Sequence, residues 1–173
     1  MRRRAGLAWA TVLCALAGGS SSSAVSADAS PVYVHMNGAN FFVESTVAAG
    51  PGQAVVFVSQ DTGGEHTILG YDAQTGDPMP LIKGRVEKSV GPGHRVETYT
   101  VRLNTVGVYP YYCSVHAILT KTTGGAVQPA HRTGIDGFKG AMAGTIVVTR
   151  DRALIDANPP TSKELIVPGF FGG

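Results

Sequence analysis

The chain has 173 residues with 14 basic and 12 acidic side chains, which gives a formal net charge of only +2. Its first 27 residues hold three arginines and no acid, so the remaining 146 residues carry 11 basic and 12 acidic side chains. Such a balance gives no electrostatic case for binding to nucleic acid or to an anionic membrane, which would need a basic face or cluster. The length predicts one domain with its own core.

The N-terminus has the layout of a secretory signal peptide. Three arginines at positions 2–4 precede an apolar run over residues 5–17, and a Gly/Ser stretch then leads to Val25-Ser26-Ala27. The run is shorter than the roughly 20 apolar residues that a membrane-spanning helix needs. We therefore expect residues 1–27 to be removed on export, which leaves a periplasmic protein without a membrane span.

Export would also leave the protein with a single cysteine. Cys14 lies in the signal segment, so Cys113 is the only cysteine of the mature chain. A chain with one thiol forms no internal disulfide, and a lone thiol in an oxidising compartment indicates a specific role.

Short β-rich runs follow the signal segment, and no stretch between residues 31 and 149 keeps an apolar period of 3.6. Glycine, proline, asparagine or aspartate closes most of these runs. The predicted strands are 31–36, 40–47, 53–60, 66–70, 84–90, 95–103, 107–113 and 143–149. Seven or eight short strands at this spacing predict an all-β Greek-key sandwich or barrel.

Two segments interrupt this pattern. Residues 117–141 contain five glycines and one proline and carry a local charge of +2, and they are too long for an ordinary hairpin loop. The tail at 150–173 has no periodicity, so it is either a disordered end or a strip that folds back over the sandwich. Leu165 and Ile166 favour the second alternative.

A cysteine and a histidine close the strand predicted at 107–113. Tyr109, Tyr111 and Cys113 share one face of that strand, and His116 follows three residues later, where the chain can turn back toward the thiol. A thiolate and an imidazole on one turn make half of a metal site. A buried thiol beside a surface histidine has the same pattern, so this motif alone decides nothing.

His66 and Met142 complete a donor set. His66 opens a short strand after a Gly-rich turn, and Met142 immediately precedes the strand at 143–149. Taken singly, they suit a polar rim residue and a core methionine. Two histidines, one thiolate and one thioether together are the ligands of mononuclear blue copper, with the thioether as a long, weak axial ligand. The sequence therefore predicts one bound copper ion.

The stretch from Gly50 to Val148 resembles the cupredoxins of the plastocyanin, pseudoazurin and azurin group. Residues 107–116, Gly-Val-Tyr-Pro-Tyr-Tyr-Cys-Ser-Val-His, resemble the C-terminal ligand motif of plastocyanins. Residues 92–103 resemble the strand before it, and residues 142–148 the methionine-led last strand. The resemblance implies a cupredoxin domain over residues 28–149, with His66, Cys113 and His116 as equatorial ligands and Met142 as the axial ligand.

Two departures from the family concern single residues. Thr67 stands where the family commonly has asparagine, whose side chain ties the two ligand loops together; threonine can reach Ser114 with a shorter arm. Pro110 lies inside the ligand strand and has no N–H to donate, so we expect an edge position or irregular pairing there.

A third departure concerns the axial ligand. The family usually has a few residues between the second histidine and the methionine, whereas 25 residues separate His116 from Met142. The axial position is therefore open to Met142, to the Glu65 carbonyl, to Gln128, or to no ligand.

The remaining histidines lie outside the matching motifs. We expect His35, His94 and His131 to be surface residues or hydrogen-bonded structural residues rather than ligands.

Taken together, these features predict a monomeric electron carrier rather than an enzyme, with a redox partner protein such as a cytochrome or a copper enzyme. The His116 imidazole would be the exit for the electron, and Lys121, Arg132 and Lys139 would steer an acidic partner surface. Multicopper enzymes need more histidines, and a dinuclear purple centre needs a second cysteine. A copper carrier or tolerance protein is the alternative, although Met-rich and His-rich tracts are absent.

Overall fold

The structure, a computed structural model, describes residues 29–60, 64–87 and 96–166. The signal segment, His94 and the last seven residues lie outside these ranges. Within them the chain forms strands β1 to β11, a short α-helix (α1) and a 3-10 helix. In chain order they are β1 Val32–Asn37, β2 Phe41–Phe42, β3 Thr46–Ala49, β4 Ala54–Ser59, β5 His66–Tyr71, β6 Pro78–Val86, β7 Thr98–Arg102, β8 Gly107–Tyr112, β9 Ala117–Lys121, β10 Val127–His131, β11 Ala143–Val148, α1 Arg152–Asp156 and the 3-10 helix Pro160–Lys163.

Two sheets face each other and form a sandwich. One has the strand order β2-β1-β4-β7 and the other β3-β11-β8-β5-β6. Strand β1 runs parallel to β4 and β3 runs parallel to β11, while the other pairs are antiparallel. This arrangement confirms the predicted all-β sandwich.

Alternate residues of the strands point into the core between the sheets. On β8, Tyr109 and Tyr111 are buried and Cys113 continues the same face, as the period of two requires. The Tyr111 ring packs edge-on against Phe42 and Phe57 of the facing sheet, with ring centroids 5.0 and 5.1 Å apart. The strand that ends at Cys113 is therefore fixed from both sheets.

Two predicted strands differ from those observed. The strand predicted at 40–47 is two strands, β2 and β3, which belong to different sheets. The strand predicted at 84–90 starts earlier, at Pro78, and its last residues lie outside the described ranges. Strand β6 contains Pro78 and Pro80, which it accommodates because it is an edge strand, where a residue without an N–H costs no ladder bond on the open side.

The segment at 117–141 is not a plain loop. Its first part is a β-hairpin in which β9 and β10 pair from Ala117↔His131 to Lys121↔Val127. The hairpin is tied to the body of the sandwich because the Val127 N–H donates to the Ala73 carbonyl at 2.7 Å. Among the described strands, both β9 and β10 are edges, so Pro129 fits without breaking a sheet.

Pro110 does not lie on an edge strand. Strand β8 lies between β11 and β5, and Pro110 stands opposite Thr145 of β11. The ladder to β5 has only the pairs Leu69↔Tyr112 and Gly70↔Tyr111, so it stops immediately before the proline. The pairing is therefore irregular, as expected, although the strand is internal.

The tail folds back onto the sandwich as far as it is described. The Asn158 side chain accepts a hydrogen bond from the Ala48 N–H and donates one to the Ala48 carbonyl, both at 2.7 Å. It thus occupies the backbone groups of edge strand β3 as a neighbouring strand would. Beyond it, the 3-10 helix packs beside β1. In the described part of the chain no helix is both long enough and apolar enough to span a membrane.

Candidate metal centre

Three donor side chains converge at one end of the sandwich. His66 is the first residue of β5, Cys113 follows the last residue of β8, and His116 directly precedes β9. The Cys113 Sγ lies 3.3 Å from His116 Nδ1 and 4.0 Å from His66 Nδ1. The ligand atoms of the three residues all lie within 4.8 Å of one another. The structure thus brings together residues that are separated by 47 positions.

A tight turn after β8 brings His116 back to the cysteine. The backbone N–H groups of His116 and Ala117 both donate to the Cys113 carbonyl, at 3.1 and 2.8 Å. On the other side, His66 is held by its position in β5, where it pairs with Val86. Regular backbone therefore fixes all three donors before any metal binds.

The three donors are shielded from solvent. His66 and Cys113 are completely buried and His116 is 9% exposed. Among the described residues no aspartate or glutamate belongs to this cluster. Zinc sites are usually completed by a further nitrogen, thiolate or carboxylate, whereas a buried set of two imidazoles and one sulfur suits copper.

Thr67 joins the two ligand loops. Its hydroxyl accepts a hydrogen bond from the Ser114 N–H at 2.7 Å and lies 3.0 Å from the Ser114 hydroxyl. Its backbone N–H donates to the Cys113 Sγ at 3.4 Å. Threonine therefore makes the link that the family commonly makes with asparagine, and the sulfur receives a donor that withdraws electron density from it.

Met142 lies beside the cysteine despite the 25 intervening residues. It is fully buried, and its carbonyl accepts a hydrogen bond from the Cys113 N–H at 2.9 Å. This bond extends the pairing of β8 with β11 by one step, which is why the chain returns to the ligand loop at this residue. Gln128, the side chain considered as an alternative axial ligand, is exposed on β10.

Two histidines, one cysteine and one methionine thus occupy neighbouring positions at one end of an all-β sandwich. An all-β sandwich with this donor set at one end resembles a cupredoxin. The cofactor that this set suits is one copper ion.

Sequence comparisons add no relative, since no protein-family profile and no curated protein matches the chain. Among solved structures, the chain is similar to amicyanins and to a purple cupredoxin at low sequence identity. A mutant amicyanin in its Cu(I) state is 13% identical with a TM-score of 0.43, over 69% of this chain and 82% of its own. A purple cupredoxin from Nitrosopumilus maritimus is 17% identical with a TM-score of 0.43, over 68% and 99%. Amicyanin from Paracoccus versutus is 16% identical with a TM-score of 0.40, over 72% and 85%.

The other described histidines, His35 and His131, make hydrogen bonds outside this cluster. His35 is buried, its Nδ1 lies 3.1 Å from the Glu44 carboxylate, and its Nε2 accepts from the Ile166 N–H at 3.3 Å. His131 Nδ1 lies 3.3 Å from the Gly140 carbonyl. The expectation for His94 concerns a residue outside the described ranges.

Sequence reasoning did not predict the contacts of Arg132. Its guanidinium Nη2 donates to the Ser114 carbonyl at 2.8 Å, and the expectation that its charge steers a partner stays a prediction. Ser114 lies between Cys113 and His116, two of the predicted ligands. The one signal in the sequence was that the segment at 117–141 begins directly after His116 and ends directly before Met142, both predicted ligands.

Proposed function

We propose that this protein is a type 1 copper protein that carries single electrons outside the cytoplasm. In this proposal His66, Cys113 and His116 are the equatorial ligands and Met142 is the axial ligand. The observation that carries it is the convergence of the two Nδ1 atoms and the sulfur in one buried cluster.

When bound, copper supplies one-electron chemistry between Cu(I) and Cu(II), and the protein supplies a fixed environment. The ligands belong to strand ends and to a turn with two backbone hydrogen bonds, and Thr67 links the loops that carry them. A site fixed in this way rearranges little when the charge of the metal changes, which favours fast electron transfer.

The different burial of the three proposed equatorial ligands indicates a route for the electron. His116 retains 9% exposure, whereas His66 and Cys113 have none, so the His116 imidazole is the ligand edge nearest to solvent. Ile118, two residues further on, exposes 39% of its surface beside it. We infer that a redox partner protein docks on this end of the molecule. The proposal that the protein is exported is based on residues 1–27, which have the layout of a signal peptide.

The test is reversible redox cycling of the copper-loaded mature chain. Ascorbate should remove the visible absorption and ferricyanide should restore it over repeated cycles, with the copper content of the protein unchanged after gel filtration. Protein loaded with zinc is the control, since it should show no such change. Release of copper on each reduction would instead identify a copper carrier and overturn the proposal of electron transfer.

A further inference from the structure

The end of the β9–β10 hairpin is bonded to the ligand loop at three points. The Arg132 N–H donates to the His116 carbonyl at 3.2 Å. Its guanidinium Nη2 donates to the Ser114 carbonyl at 2.8 Å and to the Ala117 carbonyl at 3.4 Å. These three acceptors lie within the loop of residues 113–117, which also holds two of the proposed ligands.

The guanidinium keeps its positive charge close to that loop. In the ranges that the structure describes, no carboxylate lies within 4.0 Å of Arg132, since the ion pairs there involve only His35 with Glu44 and Arg85 with Glu65 and Glu87. The residue is half-buried, and its Nε is fully shielded without a hydrogen-bond partner. A cation in such a place is screened less than one on the open surface.

We propose that Arg132 is a positioning residue that holds the ligand loop in its copper-binding conformation and raises the reduction potential of the site. This inference rests on the proposed copper function. One guanidinium bonded to the carbonyls of Ser114 and Ala117 fixes one peptide group before His116 and one after it, which restricts the loop before metal binds.

The effect on the potential follows from charge. The oxidised copper–thiolate unit carries one more positive charge than the reduced unit, so a nearby fixed cation disfavours Cu(II) relative to Cu(I). The hairpin thus has a role at the copper site itself, because its last strand delivers Arg132 to the loop.

The experiment compares Arg132→Gln and Arg132→Lys with the wild-type mature chain. Arg132→Gln should lower the reduction potential, while Arg132→Lys, which keeps the charge, should stay near the wild-type value. In the metal-free protein, amide hydrogen exchange at residues 113–117 should be faster in Arg132→Gln. It should also be faster in Arg132→Lys, because the lysine side chain is one atom shorter and its Nζ falls short of the Nη2 position that contacts both carbonyls.

Lys121→Gln is the matched control. It removes the same charge from the exposed far end of the same hairpin, so it should change neither quantity. A wild-type potential and wild-type exchange in Arg132→Gln would overturn the inference, and so would an equal fall in potential in Lys121→Gln. If Arg132→Gln fails to fold, exchange in Arg132→Lys decides the positioning role. Failure of the wild-type protein to form a coloured copper complex would refute the copper function separately, since the exchange measurement needs no metal.

Discussion

The position of Met142 leads to a prediction about the reduction potential. Its backbone carbonyl accepts a hydrogen bond from the Cys113 N–H, so the pairing of the strands places Met142 next to Cys113. A weak thioether ligand stabilises Cu(II) more than Cu(I), so its loss should favour the reduced state.

We therefore expect Met142→Leu to keep the visible absorption band and to raise the reduction potential, measured by voltammetry. The near-equal volume of leucine should limit the loss of stability to less than about 1.5 kcal/mol. Met79→Leu, which changes a partly buried methionine on the edge strand β6, is the control and should leave the potential as it is. An unchanged band and potential in Met142→Leu would show that the methionine is not a ligand.

The sequence was most informative about the positions and contacts of single residues. His66, Cys113 and His116 were predictable because the chemistry of a His₂Cys set restricts which residue types can share a site. The contact of Thr67 with Ser114 was predictable from its place next to the first histidine. The bonds of Arg132 were not, since they depend on a hairpin that brings residue 132 back to the loop at 113–117.

Strands were predictable from the sequence where their own residues favour β structure. They were not predictable where pairing between distant residues determines the structure. Strands β8 and β11 follow from their aromatic and β-branched residues and lie inside one sheet. The β9–β10 hairpin contains glycines and Pro129, so local propensity predicts a loop. Its two strands nevertheless pair with each other as a two-stranded sheet. The folded-back tail likewise depends on Asn158 reaching Ala48, 110 residues earlier.

A buried carboxylate and a buried imidazole, those of Glu44 and His35, contact each other where the tail meets β1. The Glu44 carboxylate accepts hydrogen bonds from the His35 backbone N–H at 2.8 Å and contacts the His35 ring. Burial raises the pKa of Glu44. Hydrogen bonds from the His35 side chain and backbone and from the Thr161 side chain lower it by more, so its pKa lies below 4.5. Thr161 belongs to the 3-10 helix, which makes this carboxylate part of the attachment of the tail.

The sign of the pH dependence follows from that lowered pKa. The ionised Glu44 contributes stability that is fully present above pH 4.5, the value for the unfolded chain, and that is lost as the pH falls through the lower folded-state pKa. Glu44→Gln should therefore lower the free energy of unfolding by about 1–3 kcal/mol at pH 7, and by less at about pH 3.5.

Chemical denaturation of the metal-free protein measures both values. Glu87→Gln is the control, because it breaks an exposed ion pair with Arg85 that should contribute less than about 1 kcal/mol. An equal loss of stability at the two pH values in Glu44→Gln would contradict the ionised, hydrogen-bonded state of this carboxylate.

On the scale of the whole molecule, the sandwich is a frame that holds one small cluster at its end. Cys113 and His66 come from neighbouring strands of one sheet, and Tyr111 locks the cysteine strand against the facing sheet. The insertion, which begins after His116 and ends before Met142, is built onto that frame and bonds back to its ligand loop. Sequence patterns predicted the sandwich and the donor residues that converge at its end, whereas the shape of the segment at 117–141 required the structure.

The most direct test of a type 1 copper site is the visible spectrum of the mature chain after addition of Cu(II). The wild-type protein should show an intense thiolate-to-copper charge-transfer band and a narrow copper hyperfine splitting in its EPR spectrum. Cys113→Ser should lose the band, since the mature chain has no other thiol. A band that survives in Cys113→Ser, or a folded wild-type protein that binds Cu(II) without colour, would contradict the site.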